Sequence, residues 1–324
     1  MPMLKYTSRR IVTAVILLWV VVTLVFAFLH LLPGDPVFII LGSESGAQAP
    51  SPEQVTAVRH ALGLDRPVPV QYGLWLGRLA RFDLGTSLYD STSVTVDILA
   101  RLPTSLQLIA VAVALAVAAG VLLGITAARR RGTWIDVVLS VVLAGGLSIP
   151  VFVIGTLAVL VFGVELRWVP IGGFVPFTRD PAAYLRQLAL PATTLAFSLL
   201  GVVGRITRGS VLEVMHQDYV RTARAKGAGE VRVLVRHVLR TALIPIVTVV
   251  GVQFGILIGG TVLVEYIFNW PGISTLLFTA IQRRDYPTVQ GIVLVTSALF
   301  ILINLIVDLS YAVLDPRIRY EGGA

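Results

Sequence analysis

The sequence predicts an all-α, polytopic membrane protein with six transmembrane helices and a small helical subdomain on its outer face. Three observations carry that expectation. Mean hydropathy is +0.85 with only 14% charged residues, outside the range of soluble globular chains. The apolar residues come in runs long enough to cross a hydrocarbon core of ~30 Å, which takes ~20 helical residues. The basic residues fall unevenly between alternate connections, as the positive-inside bias requires.

The first run, Ile11–Leu32, follows the basic segment Met1–Arg10. At 22 residues it is longer than the apolar part of a cleavable signal, and it ends at LPGDP without a small-residue cleavage pattern. It therefore reads as a retained first span. Residues 33–102 are too long for a simple connection and carry helix signals of their own. In SPEQ, Ser51 is a helix N-cap, Pro52 the first helical position and Gln54 the partner in a capping box, with Gly63 as the stop. Tyr72, Trp75, Leu76 and Leu79 then repeat as one face of a second helix. This outer subdomain is either a cap over the span ends or a receiving surface for something outside.

The remaining spans are Leu106–Ala128, Ile135–Phe162, Leu188–Leu212, Ala242–Val264 and Val289–Leu314. Gly145, Gly146 and Pro150 predict a bend in the third, and Pro245 predicts one in the fifth. Gly251, Gly255, Gly259 and Gly260 give the fifth a face of small residues for close helix packing. The domain plan is residues 1–32 as N-terminal segment and first span, 33–102 as outer subdomain, 103–314 as membrane core and 315–324 as tail.

Six spans put both termini on one side. With the termini in the cytoplasm, segments 1–10, 128–134, 205–242 and 315–324 hold 16 Lys/Arg in 65 residues, against 10 in 117 for the opposite segments. The acids sharpen the contrast, to a net +11 inside and zero outside. The overall charge of +8 is thus a topology signal, and nucleic acid is not an expected partner.

Half of the inward charge sits between the fourth and fifth spans, in DYVRTARAKGAGEVRVLVRHVLR (218–240) and just before it. Asp218–Lys226 reads as a short helix with an Asp218/Arg221 pair, stopped by Gly227 and Gly229. Arg232, Arg236 and Arg240 then form one helical stripe, with Val231, Leu234, Val235, Val238 and Ala242 on another face. A bare topology signal needs far less structure, as ARRRGTW (128–134) illustrates. Two readings stand side by side, a topology determinant and a docking surface for a cytoplasmic partner.

Three acids fall at or within membrane depth, where an ionisable group is costly and faces protein or a wet cavity. Asp136 opens its span, where the helix dipole favours a negative charge. Glu265 closes its span beside YIFNWPG and is a candidate for an outer gate. Asp308 is the deepest, with Asn304 one turn before it, and is either a pairing across helices or a cavity lining. Pro150, at the predicted bend, joins Glu265, Asn304 and Asp308 as a candidate for the translocation path.

Enzymatic readings fail on residue types. There is no cysteine, which removes disulfides and thiolate sites. Lys5 and Lys226 are the only lysines and neither completes a phosphate-binding P-loop. His30, His60, His216 and His237 show no metal-ligand spacing, and no nucleophile elbow is present. No cofactor is expected in this chain.

The segment YVRTARAKGAGEVRVLVRHVLRTALIPIV resembles the coupling segment of binding-protein-dependent ABC importer permeases of the dipeptide/oligopeptide/nickel family. Arg221–Thr222–Ala223 stands where such permeases carry a glutamate–alanine–alanine triplet, with Gly227 at the following glycine. Arg240 stands where the general pattern has a proline, and RHVLRTALIP is the form the peptide branch shows. LLPGDP (31–36), FDLGTSL (82–88), RLPTSLQLIA (101–110), VEYIFNWPGISTLLFTAIQRRDYPTVQG (264–291) and LDPRIRY (314–320) extend the likeness to the B-type permease subunit over nearly the whole chain.

The resemblance implies a type I importer permease in the bacterial cytoplasmic membrane, paired with a second, C-type permease. It also implies two cytoplasmic ATPases holding ATP and magnesium, and an extracytoplasmic substrate-binding protein. It makes 213–242 the coupling segment, with Asp218, Tyr219, Arg221, Thr222, Ala223, Arg224, Lys226 and Gly227 seated on an ATPase. Peptides are the implied cargo, with nickel or another small solute as alternatives. The rival from another class is a proton-coupled secondary transporter with Asp308 as relay, for which the chain shows no inverted repeat.

Overall fold

The computed structural model describes residues 2–31, 37, 51–61, 65–170 and 172–314, and the regular elements among them are helices. They are α1 (Pro2–Leu31), α2 (Pro52–Ala61), α3 (Val68–Leu79), α4 (Val94–Arg129), α5 (Trp134–Ser148), α6 (Val151–Ala158), α7 (Pro181–Met215), α8 (Asp218–Ala225), α9 (Glu230–Val233), α10 (Leu239–Gly260), α11 (Val262–Ile267), α12 (Ile273–Gln282) and α13 (Tyr286–Leu314). Two π-helical turns, Val159–Glu165 and Leu234–Val238, continue α6 and α9. Gly63, the tail 315–324 and most of LLPGDP lie outside the described residues.

Among the described residues, four helices are long and apolar enough to cross a membrane by themselves: α1, α4, α7 and α13. Two bent pairs bring the number to six when each pair is counted as one span. Residues Trp134–Ser148 and Val151–Glu165 meet at 102°, and Glu230–Leu243 and Pro245–Gly260 at 45°. Both breaks fall at the prolines that predict them, because proline lacks the N–H that would continue the ladder. The chain at the expected third span is therefore bent through slightly more than a right angle, far more sharply than the glycine pair and Pro150 alone suggest. The helix α4 begins twelve residues before its expected apolar start, with Pro103 inside it, and at 36 residues runs about 54 Å. Asp97, Arg101 and Pro103 interrupt its first turns, so the uninterrupted apolar run that marks the span starts only at Leu106.

The contacts divide the chain into two units, residues 1–14, 104–271 and 299–324 in one and residues 15–103 and 272–298 in the other. In the first unit α7 is the hub. Asp180 caps it by accepting from the backbone N–H groups of Ala182 and Ala183 at 2.9 and 3.0 Å, with Pro181 at the first position. Its buried residues join two apolar cores, one with Leu108, Ala112, Val264 and Trp270, the other with Ile109, Val113, Ile246 and Ile258. Glycines set the spacing. A Cβ on Gly201 would lie 2.5 Å from the Leu143 carbonyl of α5, and one on Gly124 of α4 would lie 2.6 Å from the Gly204 carbonyl of α7. Gly251 and Gly255 of α10 admit Val307 and Phe300 of α13 in the same way, whereas Gly259 and Gly260 face open space.

In the second unit the expected capping box forms. Ser51 Oγ accepts from Gln54 N–H at 3.3 Å, and Gln54 Oε1 accepts from Ser51 N–H at 3.0 Å. The α3 stripe is likewise buried: Trp75 packs with Phe26 and Leu294, flanked by Tyr72, Leu76 and Leu79. Asp285, 5% exposed, ties the 83–93 loop to the start of α13. It accepts from Ser87 Oγ, Leu88 N–H and Thr288 Oγ1 at 2.7, 3.0 and 2.6 Å. In the same loop, bonds from the Thr92 hydroxyl and backbone N–H hold the Asp90 carboxyl below its ordinary pKa.

A pair of glycine substitutions tests the hub. Gly201→Val should lower thermal stability in detergent by several degrees, since the clash is with backbone. Gly209→Ala, which meets nothing within 4 Å, should be neutral or stabilise by up to about 1 kcal/mol. Melting curves that do not separate the two variants would refute the packing account.

Candidate functional site

The segment between α7 and α10 folds as a compact handle. Its first helix, α8, is amphipathic because only Val220 and Ala223 turn inward. They meet Val211, Val214, Val233, Val238, Ala242 and Ala128 in one apolar cluster, in which Val220 is fully buried. Asp218, Tyr219, Arg221, Thr222 and Lys226 are exposed. The Asp218–Arg221 pair is present at 3.8 Å on a solvated face, where such a pair contributes little.

The end of α8 follows from Gly227. Its φ of +81° lets the Gly227 N–H reach the Arg224 carbonyl at 2.9 Å and the Ala228 N–H reach the Ala223 carbonyl at 3.2 Å. That is a Schellman closure, in which a left-handed residue turns the chain back on the helix. Gly229 does a different job from the expected stop. With φ −62° it occupies the N-cap position of α9. Across the turn, the Arg224 guanidinium grips Glu230 with bonds of 2.8 and 3.3 Å. Two helices and the glycine turn thereby form one unit.

The helical stripe expected beyond the turn is partly corrected. Val231 and Val235 are 67% and 59% exposed, whereas Val233, Val238 and Ala242 are buried. The spacing of five and then four residues results from the π-turn at Leu234–Val238. A π-turn holds more residues than an α-turn and rotates every later side chain. Tyr219 Oη approaches the His237 carbonyl and Thr241 Oγ1 at 3.5 and 3.4 Å.

A second feature carries no signal in the local sequence. Arg208, near the end of α7, makes a two-pronged ion pair with Asp136 on α5, with Nε and an Nη at 2.8 and 2.9 Å from the two carboxylate oxygens. Asp136 also accepts from the Gly132 N–H at 3.1 Å and is 7% exposed. Its role is thus a specific partner 72 residues away rather than a helix-end charge alone. The pairing bolts the stretch of α7 that leads into α8 to the first turn of the sharply bent α5–α6 pair.

The other candidate residues lie apart from the handle. Glu265, on α11, is fully buried and accepts from Ser105 Oγ at 2.7 Å and Thr261 Oγ1 at 3.0 Å. Trp270 meets Phe174 edge-to-face and Tyr184 at a tilt, and its indole N–H donates to the Thr104 carbonyl at 3.2 Å. Asp308 meets Arg10 at 2.9 Å. Asn304 donates to the Phe300 carbonyl one turn back at 2.9 Å. Pro150 is exposed at the 102° break.

Single and double removal of the α5–α7 bolt tests its coupling. Asp136→Ala should cost about 2 kcal/mol by leaving the partly buried Arg208 donors without their acceptor. Asp136→Ala with Arg208→Ala should cost less than the two single losses added. Strict additivity in unfolding measurements would show that the pair does not act as a unit.

Comparisons with known proteins agree along the chain. Residues 120–320 match the binding-protein-dependent transport system inner membrane component family, and residues 3–109 match its N-terminal membrane component. A putative peptide transport system permease protein of Brucella abortus is 45% identical over 314 residues, covering 97% of this chain and 98% of that one. A probable peptide ABC transporter permease of Sinorhizobium fredii is 40% identical over 97% of this chain and 99% of its own. The glutathione transport system permease protein GsiC of Pectobacterium atrosepticum is 42% identical over 98% and 100%. A solved amino acid ABC transporter is 16% identical, covers 67% of this chain and 94% of its own, and has a TM-score of 0.49, too slight a likeness to carry weight. With family matches running from residue 3 to residue 320, this multi-pass membrane protein belongs to the inner membrane components of binding-protein-dependent transport systems.

Proposed function

We propose that the chain is the permease subunit of an ATP-driven importer that moves peptides by alternating access. The observation that carries this reading is the handle. A short helix closed by Gly227, clasped by Arg224–Glu230 and seated through Val220 presents one polar face and is anchored by the other. Such a lever can transmit a push from a separate motor, because a nucleotide can bias a cycle only through contacts that differ between its states. Relatives named as peptide permeases, matching over 97% of the chain, support the cargo.

In this reading both termini and residues 213–242 face the cytoplasm, and Asp218, Tyr219, Arg221, Thr222 and Lys226 form the surface docked on an ATPase. Ala223, Arg224 and Gly227 keep that surface in shape. ATP and magnesium belong to two partner ATPases, since this chain has no P-loop. A second, C-type permease completes the pore, and a binding protein delivers cargo to the outer region 33–102. The membrane core is 103–314, preceded by the first span within 1–32 and followed by a cytoplasmic tail at 315–324. Pro150 at the sharp break and Glu265 beneath Trp270 are assigned to the gate. Asn304 and Asp308 line α13, and the Arg10 partner of Asp308 favours a structural pairing over a proton relay.

Two measurements test the reading. Gly227→Pro, which cannot adopt the left-handed turn, should abolish transport while the partner ATPases still hydrolyse ATP; normal uptake by that variant would remove the coupling assignment. The complex in liposomes, with binding protein and peptide outside, should import when ATP is supplied on the side of residues 213–242. Uptake driven by a pH gradient without nucleotide would select the proton-coupled alternative.

A further inference from the structure

The turn joining α4 to α5 carries more positive charge than its neighbours can satisfy. Arg129, Arg130 and Arg131 are consecutive and exposed, and no carboxylate among the described residues is ion-paired with any of them. The nearest acid in sequence, Asp136, is taken by Arg208. The turn is nevertheless well fixed. Gly132 adopts φ +79° and donates to Asp136, while the Thr133 N–H and hydroxyl donate to the Arg130 carbonyl at 3.0 and 2.6 Å.

Immediately beyond, Trp134 is 75% exposed, and Val137, Val138 and Val141 on α5 are 62%, 50% and 65% exposed. Positions 134, 137, 138 and 141 share one helical stripe. A guanidinium cluster therefore sits at the head of a bare apolar stripe, with an indole at the junction. Guanidinium donors match phosphate oxygens in pairs, indoles settle at the membrane–water boundary, and an aliphatic stripe matches an acyl chain. An acidic protein surface would satisfy the arginines and leave the stripe uncovered. Basic clusters at helix ends attract anionic lipid headgroups near a charged membrane surface.

We propose that Arg129–Arg131 and the Trp134 stripe form a binding site for an anionic phospholipid, the arginines holding the phosphate headgroup and α5 the chain. Because Asp136 links this turn to Arg208, the lipid would sit at the same joint that steadies the end of α7.

The test uses the assembled complex in nanodiscs of phosphatidylcholine with or without phosphatidylglycerol. Phosphatidylglycerol should raise the thermal stability of the native protein, and R129Q/R130Q/R131Q should lose at least half of that gain. The replacement R129K/R130K/R131K should retain an intermediate share, because lysine keeps the charge without the paired geometry. R78Q/R81Q, matched in kind of charge but distant in the chain, should keep the full gain. Should the triple glutamine variant fail to fold, R130Q and Trp134→Ala singly should each reduce the gain. An equal phosphatidylglycerol effect in native and Arg-turn variants would overturn the proposal. So would loss of a protein subunit from the R129Q/R130Q/R131Q complex in both lipid compositions, which would assign the turn to a protein partner.

Discussion

The close approach of α7 to α4 and α5 is the constraint on which the first unit depends. Between helices already in lipid, apolar burial gives little driving force, so packing and polar pairing decide the contact. Gly124, Gly201 and Gly204 remove the side chains that would hold the backbones apart. Two apolar cores then follow one another along α7, with Leu188, Ala192 and Leu195 in one and Ala196, Leu199 and Val203 in the next. Between these cores and the apolar cluster of the handle, the Arg208–Asp136 pair fixes α7 to α5 by charge.

That arrangement gives the handle a firm base. The helix α7 ends at Met215 and α8 begins at Asp218, so whatever moves α8 acts on α7 almost directly. The handle returns to the membrane through a π-turn, which places Val233, Val238 and Ala242 on one face and so seats the start of α10 against Val211 and Val214. The Arg224–Glu230 clasp and the Gly227 turn close the loop between these supports. In the proposed transport cycle such stiffness is the useful property, because a compliant connection would absorb displacement rather than pass it on.

The charged residues of the first unit divide into two kinds. Glu265 and Asp136 are buried and met by directed donors, Ser105 and Thr261 for the first and Arg208 and Gly132 for the second. Through Ser105 and Arg208 they connect segments far apart in sequence, while Thr261 and Gly132 hold each carboxylate from within its own segment. The arginines at 129–131 are of the other kind, fixed in place by their turn yet without an internal partner among the described residues, and charge left so arranged points outward to the surroundings.

Much of this was legible from the residues alone, because the signals were local. Apolar length gave the spans, the two prolines marked the breaks, and the Ser51/Gln54 box and the Tyr72–Leu79 stripe defined two short helices. Gly227 marked the end of α8. The tertiary structure decided what depends on residues distant in the chain: the Asp136–Arg208 bolt, the Ser105–Glu265 contact, the size of the bend at Pro150 and the π-turn that brought Val233, Val238 and Ala242 into one buried cluster. The physical reason is range. Propensity, capping and hydropathy act over a few residues and are written in the neighbours, whereas a buried charge finds its partner, and a helix its rotation, only when segments tens of residues apart are packed together.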